Sequence, residues 1–168
     1  MSVPPRAPAG RGGAARPPSP RRLARERALR ALYQWQIAGG DYATLRAQAE
    51  QAEPEEIEAG EGGVAPHAGL LDELLRGVLA QREALDAALA PHLDRAVSEL
   101  SPIEHAVLLI AAYELAHSLN VPYKVCINEA VELAKRYGGT DGHKFVNGVL
   151  DKLARVTRRV EIEAAGTA

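Results

Sequence analysis

Several residue types are scarce in this sequence, and each scarcity limits the class of protein it can encode. Cysteine, methionine, tryptophan and phenylalanine each occur once among 168 residues. The single cysteine, Cys126, cannot form an intramolecular disulfide, so we expect a reducing, cytoplasmic setting. There is no run of 18 apolar residues, which argues against a membrane span. The N-terminal charges have no apolar segment behind them, so they do not match a secretory signal.

The sequence also lacks the short motifs of common enzymes and metal proteins. Its five histidines never form HExxH, and neither a CxxC pair nor a GxSxG turn is present. Gly138 and Gly139 do not follow a predicted strand, so they do not indicate a dinucleotide-binding loop. We therefore predict that the chain is not an enzyme and that it holds neither a metal nor a cofactor.

Helical periodicity is the main signal that is present, and it is clearest from Leu100 to Leu153. Ser101 and Pro102 supply a cap and a first helical position, which predicts a helix over 102–119. This helix is apolar on nearly all sides and should be central. A second helix is predicted between Pro122 and the Gly138-Gly139 turn, and a third restarts near Thr140.

The first hundred residues predict four more helices. Ser19 and Pro20 should start one that ends at Gly39-Gly40, and Asp41 or Thr44 should cap a short one that ends near residue 51. Leucines recurring at helical spacing predict a long amphipathic helix over 67–90, with a short helix over 92–100. We find no convincing strand and no repeat, so the predicted fold class is all-α.

Composition divides the chain into a helical domain and flanking segments. Residues 1–18 contain mainly Pro, Gly, Ala and Arg, which predicts a disordered basic tail. The helical domain should span residues 19–158, interrupted by an acidic loop at about 52–66, with a frayed tail over 159–168. Charge is also unevenly placed, because residues 1–30 carry eight arginines and one acid. This asymmetry favours a polyanionic partner near the N-terminus.

The first helix carries two stripes at 100° per residue. One is apolar and should face the core; it consists of Ala24, Ala28, Ala31, Leu32 and Trp35. The other is mixed in character and resembles a partner-binding surface; it consists of Arg22, Glu26, Leu29, Tyr33 and Ile37.

Three arginines, Arg21, Arg22 and Arg25, lie at the start of this helix, where the helix dipole disfavours positive charge. Their position indicates either a polyanion-binding site or simple solvation of the helix end. Both interpretations remain open from spacing alone.

The helix after Gly139 offers a second candidate site. Its free backbone amides can donate hydrogen bonds to phosphate or carbonyl oxygens, and Lys144 lies beside them. A helix-turn-helix that reads duplex DNA is the alternative, but the early positions of this helix carry Asp141 and apolar groups instead of base-reading Arg, Asn and Gln.

Four segments resemble, in order and spacing, motifs of the NusB transcription antitermination family over roughly residues 20–156. They are ARERALRALYQWQ, LSPIEHAVLLIAAYEL, VPYKVCINEAVELAKRYG and HKFVNGVLDKLA. Similar strings occur in the NusB-like domain of some ribosomal RNA methyltransferases, but the chain lacks the long catalytic domain that follows there. A free-standing NusB protein is therefore expected.

The resemblance implies two small helical bundles packed together, with about seven helices. It implies a protein that pairs with NusE, a small-subunit ribosomal protein, binds single-stranded boxA RNA of nascent ribosomal transcripts, and supports an antitermination complex with RNA polymerase. The implied RNA-binding residues are Arg21, Arg22, Arg25, Asp141, Lys144 and Phe145. The implied partner-binding residues are Tyr33, Ile37 and Glu104, and the mixed stripe adds Leu29.

Two alternatives stay open. The chain could be a protein-interaction module or a homodimer whose RNA binding is incidental, since the mixed stripe could bury itself against a second copy. The basic tail could contact RNA or simply remain solvated.

Overall fold

The computed structural model describes residues 19–51, 65–139 and 141–166. The predicted basic tail and most of the predicted acidic loop lie outside these residues. The described part contains seven α-helices, two 3₁₀ turns and no strand, which confirms the all-α prediction. The helices are α1 (Pro20–Ala38), α2 (Tyr42–Gln51), α3 (Ala68–Leu89), α4 (Pro102–His117), α5 (Tyr123–Tyr137), α6 (Gly142–Thr157) and α7 (Arg159–Gly166).

Helices α1 and α4 each begin where a serine side chain can satisfy a free backbone amide. The Ser19 hydroxyl accepts a hydrogen bond from the Arg22 amide at 3.1 Å, and Pro20 occupies the first turn. The Ser101 hydroxyl accepts from the Glu104 amide at 3.2 Å in the same way. At the other end of α1, Gly39 has φ of 73°, a conformation that favours glycine and stops the helix. These boundaries confirm the predicted ones.

The central position of α4 organises the fold. Helices α1, α2 and α3 form one group, α5 and α6 form another, and α4 packs against both. Its residues Ala106 to Leu115 are all buried, and one apolar cluster joins the two groups through it. This arrangement agrees with two small bundles that share a core. No helix in the described ranges has the length and apolar character needed to cross a membrane.

A close approach of backbone and ring fixes the α3–α4 contact. A Cβ placed at Gly77 would lie 2.1 Å from a ring carbon of Tyr113. Only glycine leaves room for this ring, whose hydroxyl donates a hydrogen bond to the Glu73 carboxylate at 3.3 Å. Gly77 therefore determines how closely α3 and α4 can approach each other.

The end of the described chain is more ordered than the sequence predicts. Residues 159–166 form helix α7, where a frayed segment was expected. The reason is Arg158, which is buried and donates to four main-chain carbonyls at the end of α4 and in the following turn: those of Glu114, Leu115, Ser118 and Val121. Glu161 pairs with Arg158 at 2.6 Å and accepts from the Tyr123 amide at the start of α5.

The segment between α3 and α4 also differs from prediction. The expected short helix over 92–100 is replaced by two 3₁₀ turns, Ala90–His92 and Val97–Glu99. Pro91 cannot donate within a helix, which explains the break after α3. The intervening residues Leu93 to Ala96 form an irregular link that leads the chain to the second 3₁₀ turn and then to α4.

Candidate nucleic-acid interface

The three predicted arginines of α1 have three different environments. Arg21 is exposed, the Arg22 side chain is 42% exposed, and Arg25 is only 4% exposed. Arg22 and Arg25 both reach carboxylates on neighbouring helices, whereas Arg21 extends into solvent.

Arg25 belongs to a buried ion pair. Its Nε and Nη2 donate to the two carboxylate oxygens of Glu114 on α4, at 2.7 and 3.2 Å. Glu114 is 1% exposed. Burial argues against the predicted contact between Arg25 and RNA, because the guanidinium is enclosed and its Nε and Nη2 are paired with Glu114. Its role in this fold is to neutralise a carboxylate between α1 and α4.

Arg22 is paired at the protein surface. Its Nε and Nη2 donate to Glu129 of α5 at 3.2 and 3.1 Å. The hydrogen bond to Glu129 raises the pKa of the Arg22 guanidinium above its ordinary value, in spite of partial desolvation. The side chain is a permanent cation that reaches solvent with part of its surface.

The start of α6 brings together the three residues predicted there. The Asp141 carbonyl accepts from the amides of Lys144 and Phe145, at 3.1 and 3.4 Å. Lys144 Nζ lies 3.4 Å from Asp141 Oδ1, and both side chains are more than 70% exposed. The Phe145 ring is partly buried and packs against the core. The segment thus offers a cation, a carboxylate and one aromatic ring to solvent.

A groove of about 300 Å³ runs beside this segment, between α6 and the link that precedes α4. Its lining residues are Pro91, His92, Leu93, Asp94, Lys144, Phe145, Gly148, Val149 and Lys152. Basic side chains beside an aromatic ring are the combination that binds single-stranded nucleic acid, since the cations attract phosphates and the ring can stack on a base.

Arg95 borders this groove. Its guanidinium carbon lies 4.5 Å from the centre of the Phe145 ring, and its Nε donates to Asp94 Oδ1 at 2.8 Å. This hydrogen bond lowers the pKa of the Asp94 carboxyl. The sequence analysis missed both Arg95 and Lys152. Lys152 follows Lys144 by two helical turns, a spacing that could have revealed it, whereas nothing local marks Arg95.

Glu104 lies on the same side of the molecule as the start of α6. Its Oε1 would be 3.1 Å from a Cβ placed at Gly142, so a glycine lets α6 begin close to α4. The side chain predicted to face a protein partner therefore adjoins the segment predicted to face RNA.

The mixed stripe of α1 is only partly a surface. Tyr33 and Ile37 are 36% and 61% exposed, which leaves them available to a partner. Glu26 and Leu29 are 5% and 1% exposed. Burial argues against the predicted partner contact of Leu29, because this position lies within the core that α1 forms with its neighbouring helices.

The histidines of α4 make structural contacts. His105 Nε2 lies 2.6 Å from Asp86 Oδ1 on α3, and His117 Nε2 lies 2.5 Å from Gln81 Oε1. In the ranges that the structure describes, no group of three or more His, Cys, Asp or Glu side chains could hold a metal ion.

Sequence comparison with known proteins identifies relatives that belong to one family. The sequence model of the NusB family matches residues 22–155. The transcription antitermination protein NusB of Thiobacillus denitrificans is 50% identical over 145 residues, covering 86% of this chain and 94% of that protein. The protein of the same name from Paraburkholderia xenovorans is 50% identical over 147 residues, covering 88% of this chain and 96% of that protein.

Solved structures share the fold. A crystal form of T. maritima NusB superposes with a TM-score of 0.67 at 29% identity, covering 82% of this chain and 92% of that one. A complex of the antitermination factors NusB and NusE with double-stranded RNA contains a chain that matches with a TM-score of 0.66, covering 80% of this chain and 96% of that one. At 22% identity, this second likeness concerns the fold alone.

Proposed function

This chain belongs to the NusB family of transcription antitermination proteins, and from that premise we propose that it binds single-stranded boxA RNA of nascent ribosomal transcripts together with NusE, in support of an antitermination complex with RNA polymerase. Membership in the family confirms the predicted role in transcription antitermination and the prediction that the chain is not an enzyme. The RNA element, the partner and the residues that contact them are the proposal.

The observation that carries the RNA proposal is the groove beside the start of α6. It presents Lys144 and Lys152 to the phosphate backbone. The Arg95 guanidinium covers one face of the Phe145 ring; it can move aside when a base stacks on the ring, or stay in place and stack on a base itself. Asp141 holds Lys144 at the groove entrance. A contact of this kind recognises backbone charge and base planes, which gives modest sequence preference without a partner.

On α1, Arg21 and Arg22 remain the proposed phosphate contacts, because both reach solvent. Arg25 is not part of the proposal. The RNA would thus be bound by charges on two helices, α1 and α6, and by one aromatic ring.

The test is fluorescence anisotropy with labelled single-stranded boxA RNA, a scrambled strand and a duplex of the same length, at several salt concentrations and with and without NusE. We expect boxA to bind more tightly than the scrambled strand, and the difference to widen when NusE is present. Changing Arg21 or Lys144 to Ala should weaken binding and reduce the salt slope by about 0.7 for each lost phosphate contact.

The matched control is Arg159→Ala, which removes an exposed cation from α7 and should leave affinity and slope unchanged. Equal binding of boxA and the scrambled strand in every condition would reject boxA recognition. Preference for the duplex would reject the single-stranded mode.

We propose that Tyr33 and Ile37 form the NusE-binding surface, with Glu104 as an additional contact. The exposed aromatic and aliphatic side chains lie one helical turn apart on α1, which suits an interface core better than a solvated face. Tyr33→Asp should abolish NusE binding in a pull-down, while Val160→Asp, at an exposed apolar position on α7, should not.

The alternative is a homodimer that uses the same surface, with incidental RNA binding. Light scattering separates the two ideas. A wild-type dimer that Tyr33→Asp converts to a monomer, with NusE binding retained, would favour the homodimer.

A further inference from the structure

Glu129 on α5 holds one of the arginines proposed to contact RNA. Both of its carboxylate oxygens accept hydrogen bonds from Arg22, from Nε at 3.2 Å and from Nη2 at 3.1 Å. The same carboxylate lies 3.9 Å from Arg25 Nη1. One edge of the Arg22 guanidinium is therefore occupied by protein, although the side chain is 42% exposed.

The surrounding charges balance one another. Arg25 has Glu114 as its own buried partner, and the charge of Glu129 offsets that of Arg22. The two guanidinium groups are therefore paired with two carboxylates. Arg22 occupies the first turn of α1, where the backbone amides already give a positive end. A carboxylate at this place stabilises the helix start and lowers the local attraction for a polyanion.

We propose that Glu129 limits the RNA affinity of this protein by competing with RNA phosphates for Arg22. This inference rests on the proposed RNA binding and adds a residue that regulates it. Phosphate and carboxylate use the same paired donors of a guanidinium, so a phosphate that takes two hydrogen bonds from the occupied edge must displace Glu129. A partly exposed ion pair is weak enough to be displaced.

The first variant is Glu129→Gln, which keeps the size of the side chain and one acceptor oxygen but removes the charge. We expect the dissociation constant for single-stranded boxA RNA to fall by about 1.5- to fivefold, the range that a partly exposed pair allows. The salt slope should become steeper by about 0.7, since Arg22, which Glu129 neutralises in the wild-type protein, then makes a full phosphate contact that releases counterions. A purely structural role for Glu129 would not steepen the slope.

Two further variants separate competition from simple loss of negative charge. Glu132→Gln removes a carboxylate from the same helix and the same side of the molecule, where it lies 3.6 Å from Lys135 Nζ. It should change affinity less than Glu129→Gln does. In an Arg22→Ala background, Glu129→Gln should give no gain, because the side chain that it releases is absent.

Thermal unfolding of each variant, followed by circular dichroism, shows whether the fold is retained. If Glu129→Gln does not fold, Glu129→Asp tests the same idea, because the shorter carboxylate keeps its charge but cannot reach both donors. It should also tighten RNA binding, by a smaller factor.

Unchanged or weaker boxA binding by folded Glu129→Gln would overturn the inference, as would a gain that persists without Arg22. These outcomes are distinct from failure of the proposed function. If the wild-type protein shows no boxA preference with or without NusE, the proposed function fails; if wild type binds boxA and only the Glu129 effects are missing, the inference alone fails.

Discussion

Replacing Arg25 with alanine should destabilise this protein strongly, because it removes the partner of a carboxylate that cannot reach water. Glu114 is 1% exposed and receives two hydrogen bonds from the guanidinium, at 2.7 and 3.2 Å. Breaking a buried pair by removing one partner typically costs about 3–5 kcal/mol. In a protein of this size each kcal/mol lowers the melting temperature by about 2–4 °C, so a decrease of about 6–20 °C is expected.

The assay is urea unfolding followed by circular dichroism, with the midpoint reporting stability and the slope reporting whether unfolding still exposes the same surface. A second variant carries Arg25→Met together with Glu114→Leu. It removes both charges and fills the space with apolar atoms, a change that is often neutral or stabilising at buried pairs. We expect it to recover most of the stability that Arg25→Ala loses.

A measurement of RNA affinity tests whether Arg25 contacts RNA. The folded double variant should bind boxA RNA with wild-type affinity and salt slope, since Arg25 does not face solvent. If Arg25→Ala is as stable as wild type, or if the folded double variant loses affinity with a shallower salt slope, the assignment of Arg25 to the core is refuted.

Three further predictions concern packing and reactivity. Gly77→Ala should lower the free energy of unfolding, measured in urea, by about 1–3 kcal/mol, because its Cβ would lie 2.1 Å from the Tyr113 ring. The control is Gly148→Ala, which has no neighbour within 4 Å and should be neutral or stabilising by up to about 1 kcal/mol. Cys126 should react with iodoacetamide at pH 8 much more slowly in the native protein than in urea. The reason is that the residue is only 2% exposed and that burial raises the pKa of its thiol to about 11. Equal reaction rates in the two conditions would contradict its buried position. Arg158→Ala should lower the free energy of unfolding by about 3–5 kcal/mol, since buried carbonyls lose a charged donor, and a wild-type urea midpoint would contradict this.

The starts of α1 and α4 were predictable because their signals are local. Ser19 with Pro20, and Ser101 with Pro102, each place a hydroxyl and a proline where the chain needs them. The central position of α4 followed from its apolar character on all sides. The segment Asp141 to Phe145 was also found from sequence, as the restart of a helix after a glycine turn.

The environments of α1 were not predictable in the same way. One buried face was expected for α1, whereas the helix packs against three others, α2, α3 and α4. Arg25 is buried because Glu114, 89 residues later, lies opposite it, and Leu29 is buried for the same geometric reason. Arg95 reaches Phe145 only through the path of an irregular link, which carries no periodic signal.

The contacts of Arg158 also set an order in which the protein can be completed on the ribosome. The carbonyls that it satisfies belong to residues 114–121, which leave the exit tunnel well before Arg158 does. In a nascent chain that already contains α4 and α5, the Leu115 and Val121 carbonyls therefore still lack the Arg158 guanidinium and must remain hydrated. We expect this end of α4 to stay accessible to water until α6 and Arg158 have followed. A translation pause before Arg158 should therefore prolong the time during which this end of the core is open to water.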